Sequence, residues 1–426
     1  MTSQIESTTK RSRHDLILDS AALQLANFGV GISSLPEIAA CMGLTRSALY
    51  YYVKSKEDLV FQVYYRSCDI MANTAKAIRS TPGEASQKLV EFVLTIAGRE
   101  HIDVIALSEV GMLGVEQRTA VLGRYEAVVS MIADILREGV NRCELRACDP
   151  EIAARTIISI VQHLGMTRAW TQFRAKISPL GDAVPDLARL VTGTTDLLLN
   201  GWTKDRNRPN PVRLIDLTPL LATNVRAFDR EGQARAKREE ILITASRLFN
   251  QRGVSSTTLD DIAAELGATK RTLYHHVGDK QTLLSACHER SRNIIKHIYR
   301  EYDHRAEGGE DQAEAHLDYL RSTALAQLRP DIAPLRASVG IPELDDEGHK
   351  AHEEYVQWLL KIGSIQRKRL KECDALRYHD GKTLHLIHIG GVNWLAKGLV
   401  PISEDRMTEV ACQVVDVLRL GLKPIT

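Results

Sequence analysis

Two stretches of the chain repeat each other in register. Residues 35–59 read LPEIAACMGLTRSALYYYVKSKEDL, and residues 259–283 read LDDIAAELGATKRTLYHHVGDKQTL. An offset of 224 residues pairs Ile38 with Ile262, Gly43 with Gly267, Thr45 with Thr269, Leu49 with Leu273, Tyr50 with Tyr274 and Val53 with Val277, with no gap. A repeat with the period of a domain, not of a solenoid unit, constrains the chain to hold the same folded unit twice.

Each copy reads as a helix-turn-helix. Leu259, Ile262, Ala263 and Leu266 have helical spacing, and Leu273 and Val277 resume it beyond a turn. Gly267 falls where the first helix must stop, since glycine tolerates a left-handed backbone. Thr258 with Asp261, and Ser34 with Glu37, are spaced as capping pairs for the first helix of each copy. Thr269 is expected to cap the second. Two helices joined by a short turn with Gly can present a helix to a DNA major groove.

The side chains beyond the turn suit that use. The first copy offers Arg46, Ser47, Tyr50 and Tyr51, and the second offers Lys270, Arg271, Thr272, Tyr274 and His275. Arg and Lys donate to guanine edges, while Thr and Tyr reach bases or phosphates. Lys56 and Lys280 open the following helix, where a cation opposes the helix dipole unless a phosphate lies close. The candidate DNA contacts are therefore Ser34, Thr45, Arg46, Ser47, Tyr50, Tyr51 and Lys56 in one copy. In the other they are Thr258, Thr269, Lys270, Arg271, Thr272, Tyr274, His275 and Lys280. The competing reading is of solvated polar residues on two ordinary helical hairpins.

The shared pattern I-A-A-x-x-G-x-T-x-x-x-L-Y-x-x-V-x-x-K-x-x-L closely resembles the DNA-binding domain of the tetracycline-repressor (TetR) family, with Leu49-Tyr50 and Leu273-Tyr274 as its signature. The resemblance implies an all-α fold of two TetR-like units. Each would have an N-terminal three-helix head and a larger C-terminal helical domain for ligand binding and dimerisation. Two residues of the first copy depart from the pattern. Pro36 lies in the first turn of its helix, where Pro is tolerated, and Leu25 stands where the family has the Phe seen at Phe249.

A chain of 426 residues is too long for one compact core. The expected division is a first head at 1–54, its ligand domain at 55–202, a linker at 203–232 that is polar and proline-containing near its start, a second head at 233–278 and its ligand domain at 279–426. Helix one is expected from Arg13 to Phe28, ending at Gly29, and a long helix from Ser55 to Arg79. Further helical runs are predicted at 84–98, 102–112, 116–142, 150–174 and 185–202. The ligand domain repeats with less fidelity. Leu145, Cys148, Asp149, His163 and Gly165 meet Leu370, Cys373, Asp374, His388 and Gly390 at an offset of 225, and Asp196 and Gly201 meet Asp416 and Gly421 at 220.

The net charge of +1, from 55 basic and 54 acidic residues, is no argument against DNA, which needs only a local basic face. Lys10, Arg11 and Arg13 form a short basic arm ahead of the first helix. The N-terminus has no apolar segment typical of a secretory signal, and no run of about 18 apolar residues suggests a membrane span. Seven scattered Cys fit a reducing cytoplasm. No P-loop, dinucleotide fingerprint, zinc-finger spacing or nucleophile–base–orienter set is visible, so no cofactor, metal or enzymatic activity is expected. The pairs His385/His388 and His349/His352 lack a third ligand fixed by spacing, and Cys148 and Cys373 are weighed as inert thiols. His163, Trp170, Phe173, Trp358, His388 and Trp394 are the candidate lining of a ligand cavity.

The expected function is a ligand-responsive repressor that binds a double-stranded DNA operator and an unknown small-molecule effector. The final two helices of each half, at about 150–202 and 380–422, would pair as an intramolecular pseudo-dimer. Because Thr45-Arg46-Ser47-Ala48 faces Thr269-Lys270-Arg271-Thr272, the operator would have two unlike half-sites. A further homodimer of fused chains is the alternative assembly. The alternative function is a ligand-binding or adaptor protein in which one or both heads no longer read DNA.

Overall fold

A computed structural model describes residues 12–99, 102–174, 186–208, 211–221 and 229–425. The N-terminal half contains α1 (Arg13–Ile32), α2 (Leu35–Cys41), α3 (Arg46–Tyr50), α4 (Lys56–Ser80), α5 (Ala85–Ala97), α6 (Val115–Asn141), α7 (Pro150–Arg174) and α8 (Leu187–Asn200). The C-terminal half contains α9 (Arg230–Arg252), α10 (Leu259–Glu265), α11 (Lys270–Val277), α12 (Lys280–Glu307), α13 (Gln312–Leu328), α14 (Asp346–Glu372), α15 (Gly381–Val392) and α16 (Met407–Leu420). The fold is all-α. Among the described residues the sole β feature is one antiparallel bridge between Thr203 and Leu376.

The heads form as their local chemistry dictates. Ser34 and Thr258 cap α2 and α10 in reciprocal boxes with Glu37 and Asp261, and Thr45 and Thr269 cap α3 and α11. Gly43 and Gly267 take φ of +64° and +61° between the paired helices. Leu49 and Leu273 are fully buried and pin the second helix of each pair to its head.

The expected break at Gly29 is present, with φ +73°, but a short helical turn follows it to Ile32, where Ser33 Oγ donates to Gly29 O at 2.8 Å. One expectation fails: residues 102–112 are not a helix. Residues 102–107 form a buried segment without regular secondary structure, followed by a single 3-10 turn at Val110–Met112. Ser67 Oγ, on α4, donates to Asp103 O and accepts from Ile105 N–H, supplying partners that a helix would have found within itself.

The halves meet through α7 and α8 on one side and α15 and α16 on the other. Their hydrogen bonds are reciprocal. Trp202 N–H donates to Leu418 O at 3.1 Å, and the pair offset by 220, Leu422 N–H and Leu198 O, is joined at 2.8 Å. Thr203 N–H to Arg419 O is matched in the same way by Lys423 N–H to Leu199 O. Gly201 and Gly421, the equivalent glycines, lie against each other with φ of +69° and +66°, so neither has room for a side chain.

The offset of 225 is corrected before this point. The left-handed residues are Cys143 and Asp374, the helix-capping aspartates are Asp149 and Asp380, and Arg146 N–H and Arg377 N–H donate to the equivalent Leu422 O and Trp202 O. These pairs are 231 apart, so Cys148 and Cys373 are not equivalent, nor are His163 and His388. The coincidences at 225 arose because Leu370 still belongs to α14, whereas Leu145 already lies beyond α6.

At the crossing of α7 and α15, Ser159 Oγ donates to Gly390 O at 2.6 Å. A Cβ on Gly390 would stand 3.1 Å from His163 Cβ and 3.2 Å from Ile160 Cα. Gly390→Val is expected to overpack this crossing and cost about 1–3 kcal/mol, read as a lower urea midpoint at unchanged slope. An unchanged midpoint would mean that the two helices have slack to separate.

Candidate functional site

Each head leaves one polar face uncovered. On the first, Thr45, Arg46, Ser47 and Tyr50 are exposed, and Tyr51 is 85% exposed at the end of α3. Arg46 Nη2 donates to Tyr50 Oη at 3.1 Å, and its guanidinium lies 5.4 Å from the centre of that ring. On the second, Thr258, Thr269, Arg271, Thr272, Tyr274 and His275 are exposed, and Lys270 is held by Asp260 at 2.7 Å. Ser34 is half-buried in its capping box.

Lys56 and Lys280 point elsewhere. Lys56 Nζ donates to Gly31 O at 2.9 Å. Burial lowers the affinity of both lysines for their protons, while Glu109 and Glu343 oppose that shift. They belong to a charged junction between the heads. There Glu109 accepts from Val30 N–H of the first head at 3.2 Å and from Ser255 Oγ of the second at 2.8 Å. Both bonds work against the rise that burial imposes on the Glu109 carboxyl. The halves are cross-braced here. Helix α1 packs on the turn Ile341–Glu343, and α9 packs on the turn Val110–Met112.

A cavity of about 230 Å³ lies within the C-terminal half, and every residue lining it comes from that half. Helix α12 contributes His288, Ser291 and Ile295, and α13 contributes His316, Tyr319 and Thr323. Tyr355, Leu359 and Ile362 of α14 face them, and α15 adds Leu384, His385 and His388. His316 Nδ1 and His388 Nε2 are buried there without hydrogen-bond partners. Burial drives His288, His385 and His388 down to about 4 and His316 to about 3, so all four rings are neutral near pH 7.

The six lining residues expected from sequence do not share one cavity. His388 lies in this one, and His163 lines a smaller cavity beside the charged junction. Trp358 stacks on Tyr355 and meets Tyr299 edge-on, packed against the core. Trp394 faces Asp149 and Arg155 near the start of α7. The side chains of Trp170 and Phe173, like Lys10 and Arg11, lie outside the described residues. The sequence reading missed His316, Tyr319 and Thr323. Their signal was a spacing of three and four residues that sets all three on one face of the helix.

Both heads match the family model described as bacterial regulatory proteins, tetR family, over residues 17–63 and 241–287. The chain carries two TetR-family DNA-binding domains. Residues 82–166 also match a tetracyclin repressor-like C-terminal domain. Among TetR relatives, the chain is similar to the HTH-type transcriptional regulator AcrR of Shigella flexneri, with 43% identity over 70 residues. That match covers 16% of this chain and 33% of the relative, so the chain spans about a third of that regulator's length. It is also similar to the fatty acid metabolism regulator protein of Bacillus subtilis, at 21% identity over 45% of this chain and 96% of the relative. Among solved structures, FadR from Bacillus subtilis in complex with stearoyl-CoA matches at 20% identity and a TM-score of 0.33, covering 43% of this chain and 97% of that one. No helix among the described residues is long and apolar enough to cross a membrane.

The cavity histidines make stability depend on pH. Between the ordinary histidine value of about 6.5 and the folded values, the unfolded chain binds more protons than the folded one. The histidine contribution to stability is therefore fully present above about pH 6.5 and is lost as pH falls toward 4. Urea unfolding at pH 5 and 7.5 should show a lower free energy at pH 5, and His316→Gln should flatten the dependence. Equal stability at both values would mean that these rings titrate as they do in water.

Proposed function

We propose that this chain is a ligand-responsive transcriptional regulator whose two heads act as an intramolecular pseudo-dimer on one operator. The observation that carries the reading is the reciprocal pairing across the seam, where Trp202 and Leu422 exchange backbone bonds with Leu418 and Leu198. A two-fold interface places the same patch on both partners, and here both partners are parts of one chain. The heads offer different side chains at matched positions, so the operator has two unlike half-sites. The DNA contacts proposed are the exposed Thr45, Arg46, Ser47, Tyr50 and Tyr51, and Thr269, Lys270, Arg271, Thr272, Tyr274 and His275. Lys56 and Lys280 act instead by holding the heads to the junction.

The effector is an amphipathic small molecule. Apolar walls suit its body, and the unpartnered nitrogens of His316 and His388 suit a polar group on it. Helix α12 both lines the cavity and follows directly on the second head, so a ligand that favours one position of α12 shifts that head.

Selection of bound fragments from sheared genomic DNA, at two salt concentrations, tests this reading. Salt-sensitive enrichment of sites with two unlike halves, centred roughly 34–36 Å or more apart, is expected. Arg271→Ala should weaken binding by about 1–3 kcal/mol and relax selectivity in one half-site alone. A perfectly palindromic best site would defeat the pseudo-dimer. No salt-sensitive binding with or without added ligand would favour an adaptor instead.

A further inference from the structure

The smaller cavity, of about 70 Å³, lies where the first head meets both ligand-binding halves. Leu25, Ala26 and Gly29 of α1 form one side, and His163 and Ser159 of α7 another. Arg336 and Lys397 enter from the C-terminal half. We propose that this junction cavity binds an oxyanion, a carboxylate or a phosphate-type group, between the Lys397 ammonium and the Arg336 guanidinium, with His163 as a neutral hydrogen-bonding partner.

Charge supports the assignment. Arg336 and Lys397 are only 7% and 6% exposed. The cavity wall itself carries two cations, Arg336 and Lys397, and two carboxylates, Glu109 and Glu343, while Lys56 and Lys280, outside the wall, offset the charge of both carboxylates. The carboxylates are already engaged. Glu109 holds Val30 and Ser255, and both carboxylates face Lys56 and Lys280. Arg336 donates to Asn250 O at 3.2 Å and feels Glu109, yet its buried Nε has no partner. The one charge that acts on Lys397 is Arg336, which is repulsive, and no hydrogen bond to its ammonium is seen among the described residues. An unpaired buried ammonium is costly, and a bound anion removes that cost. His163 Nδ1 is paired with Asn393 at 3.1 Å, which leaves a buried Nε2 without a partner.

The site is wired to both heads. Its wall includes α1 of the first head, and Arg336 grips the backbone of Asn250 near the end of α9 in the second. The turn Leu395–Lys397 also packs on α9. Arg336 and Asn393 line this cavity and the larger one alike. Two sources of the anion follow: a free inorganic ion, or the acid group of an amphiphile whose tail reaches the larger cavity. The second source rests on the effector reading above, but the binding measurement needs no DNA and so fails or holds independently of it.

Calorimetry on the full chain with sulfate, acetate and octanoate, at pH 6 and pH 8, tests the site. Burial and Arg336 bring Lys397 to about 7 when the site is empty, so it is mostly neutral at pH 8. Anion binding recharges it, with uptake of close to one proton at pH 8 and little at pH 6, seen as a dependence on the buffer's ionisation enthalpy. Lys397→Met should weaken binding at least about tenfold. Lys397→Arg should keep the affinity and abolish the uptake, because arginine does not deprotonate, and it serves if the methionine variant does not fold. Octanoate binding much more tightly than acetate assigns the amphiphile, whereas sulfate and acetate binding as well as octanoate assign a free ion. Binding of none of the three, equal binding by Lys397→Met, or proton uptake that survives in Lys397→Arg overturns the proposal.

Discussion

The structure depends on a helix with no outside. Every residue of α7 from Ile152 to Gln162 is buried, the polar Arg155, Thr156, Ser159 and Gln162 included. A helix buried on all sides needs partners on all sides. Helices α5, α6 and α8 of its own half supply some, and α15 and α16 of the other half supply the rest. Three of its four buried polar side chains are matched within that packing, and the Gln162 amide nitrogen is buried without a partner. Arg155 forks onto Glu126, Thr156 bonds back to Ile152 O, and Ser159 crosses to Gly390 O. Separating the halves would expose the apolar side of α7 and strand Ser159, so the seam behaves as interior rather than as a docking surface.

The two halves have since diverged around that seam. In the N-terminal half, the space between α4, α5 and α6 is taken by Tyr64, Met71, Phe92 and Tyr125, all fully buried. In the C-terminal half, α12, α13 and α14 carry His288, His316, Tyr319 and Tyr355 around an opening. The polar groups there set a chemical requirement, since neutral imidazoles in an apolar wall favour a guest that can bond to them. The second head is also insulated, with an apolar core of its own closed by Leu335, Val339, Ile341 and Leu344, whereas the first head's core runs on into the body of the chain.

The heads were legible in the sequence because their determinants are local. Capping pairs at Ser34 and Thr258, the left-handed glycines and the buried leucines are each set by neighbours within a few residues. The seam was legible in part. Asp196/Asp416 and Gly201/Gly421 stood out because a close two-fold contact constrains both copies alike. The offset of 231 is carried by Leu145/Leu376, Arg146/Arg377 and Asp149/Asp380, but Cys148-Asp149 and Cys373-Asp374 align by coincidence at 225 and mask it. The segment at 102–107 was misread because a short apolar run has no periodicity to separate a buried irregular segment from a buried helix. The cavity was least legible, because it is formed by five helices, α12 to α16, and the tryptophans that suggested it pack elsewhere.

This divergence bears on how such a chain would switch, on the reading proposed above. A symmetric dimer carries two effector sites and moves two heads. Here the cavity wall and the second head share one continuous element, α12, which runs from its cap at Asp279 through His288 and Ile295. The first head has no such helix in the wall. It is reached through the packing of α1 on Ile341–Glu343 and through the Glu109 bonds to Val30 and Ser255. Two heads that must match a fixed spacing are disabled when either one moves, so one site per chain is sufficient. The head fused to the main core is then the fixed reference, and the head with its own core is the part that turns.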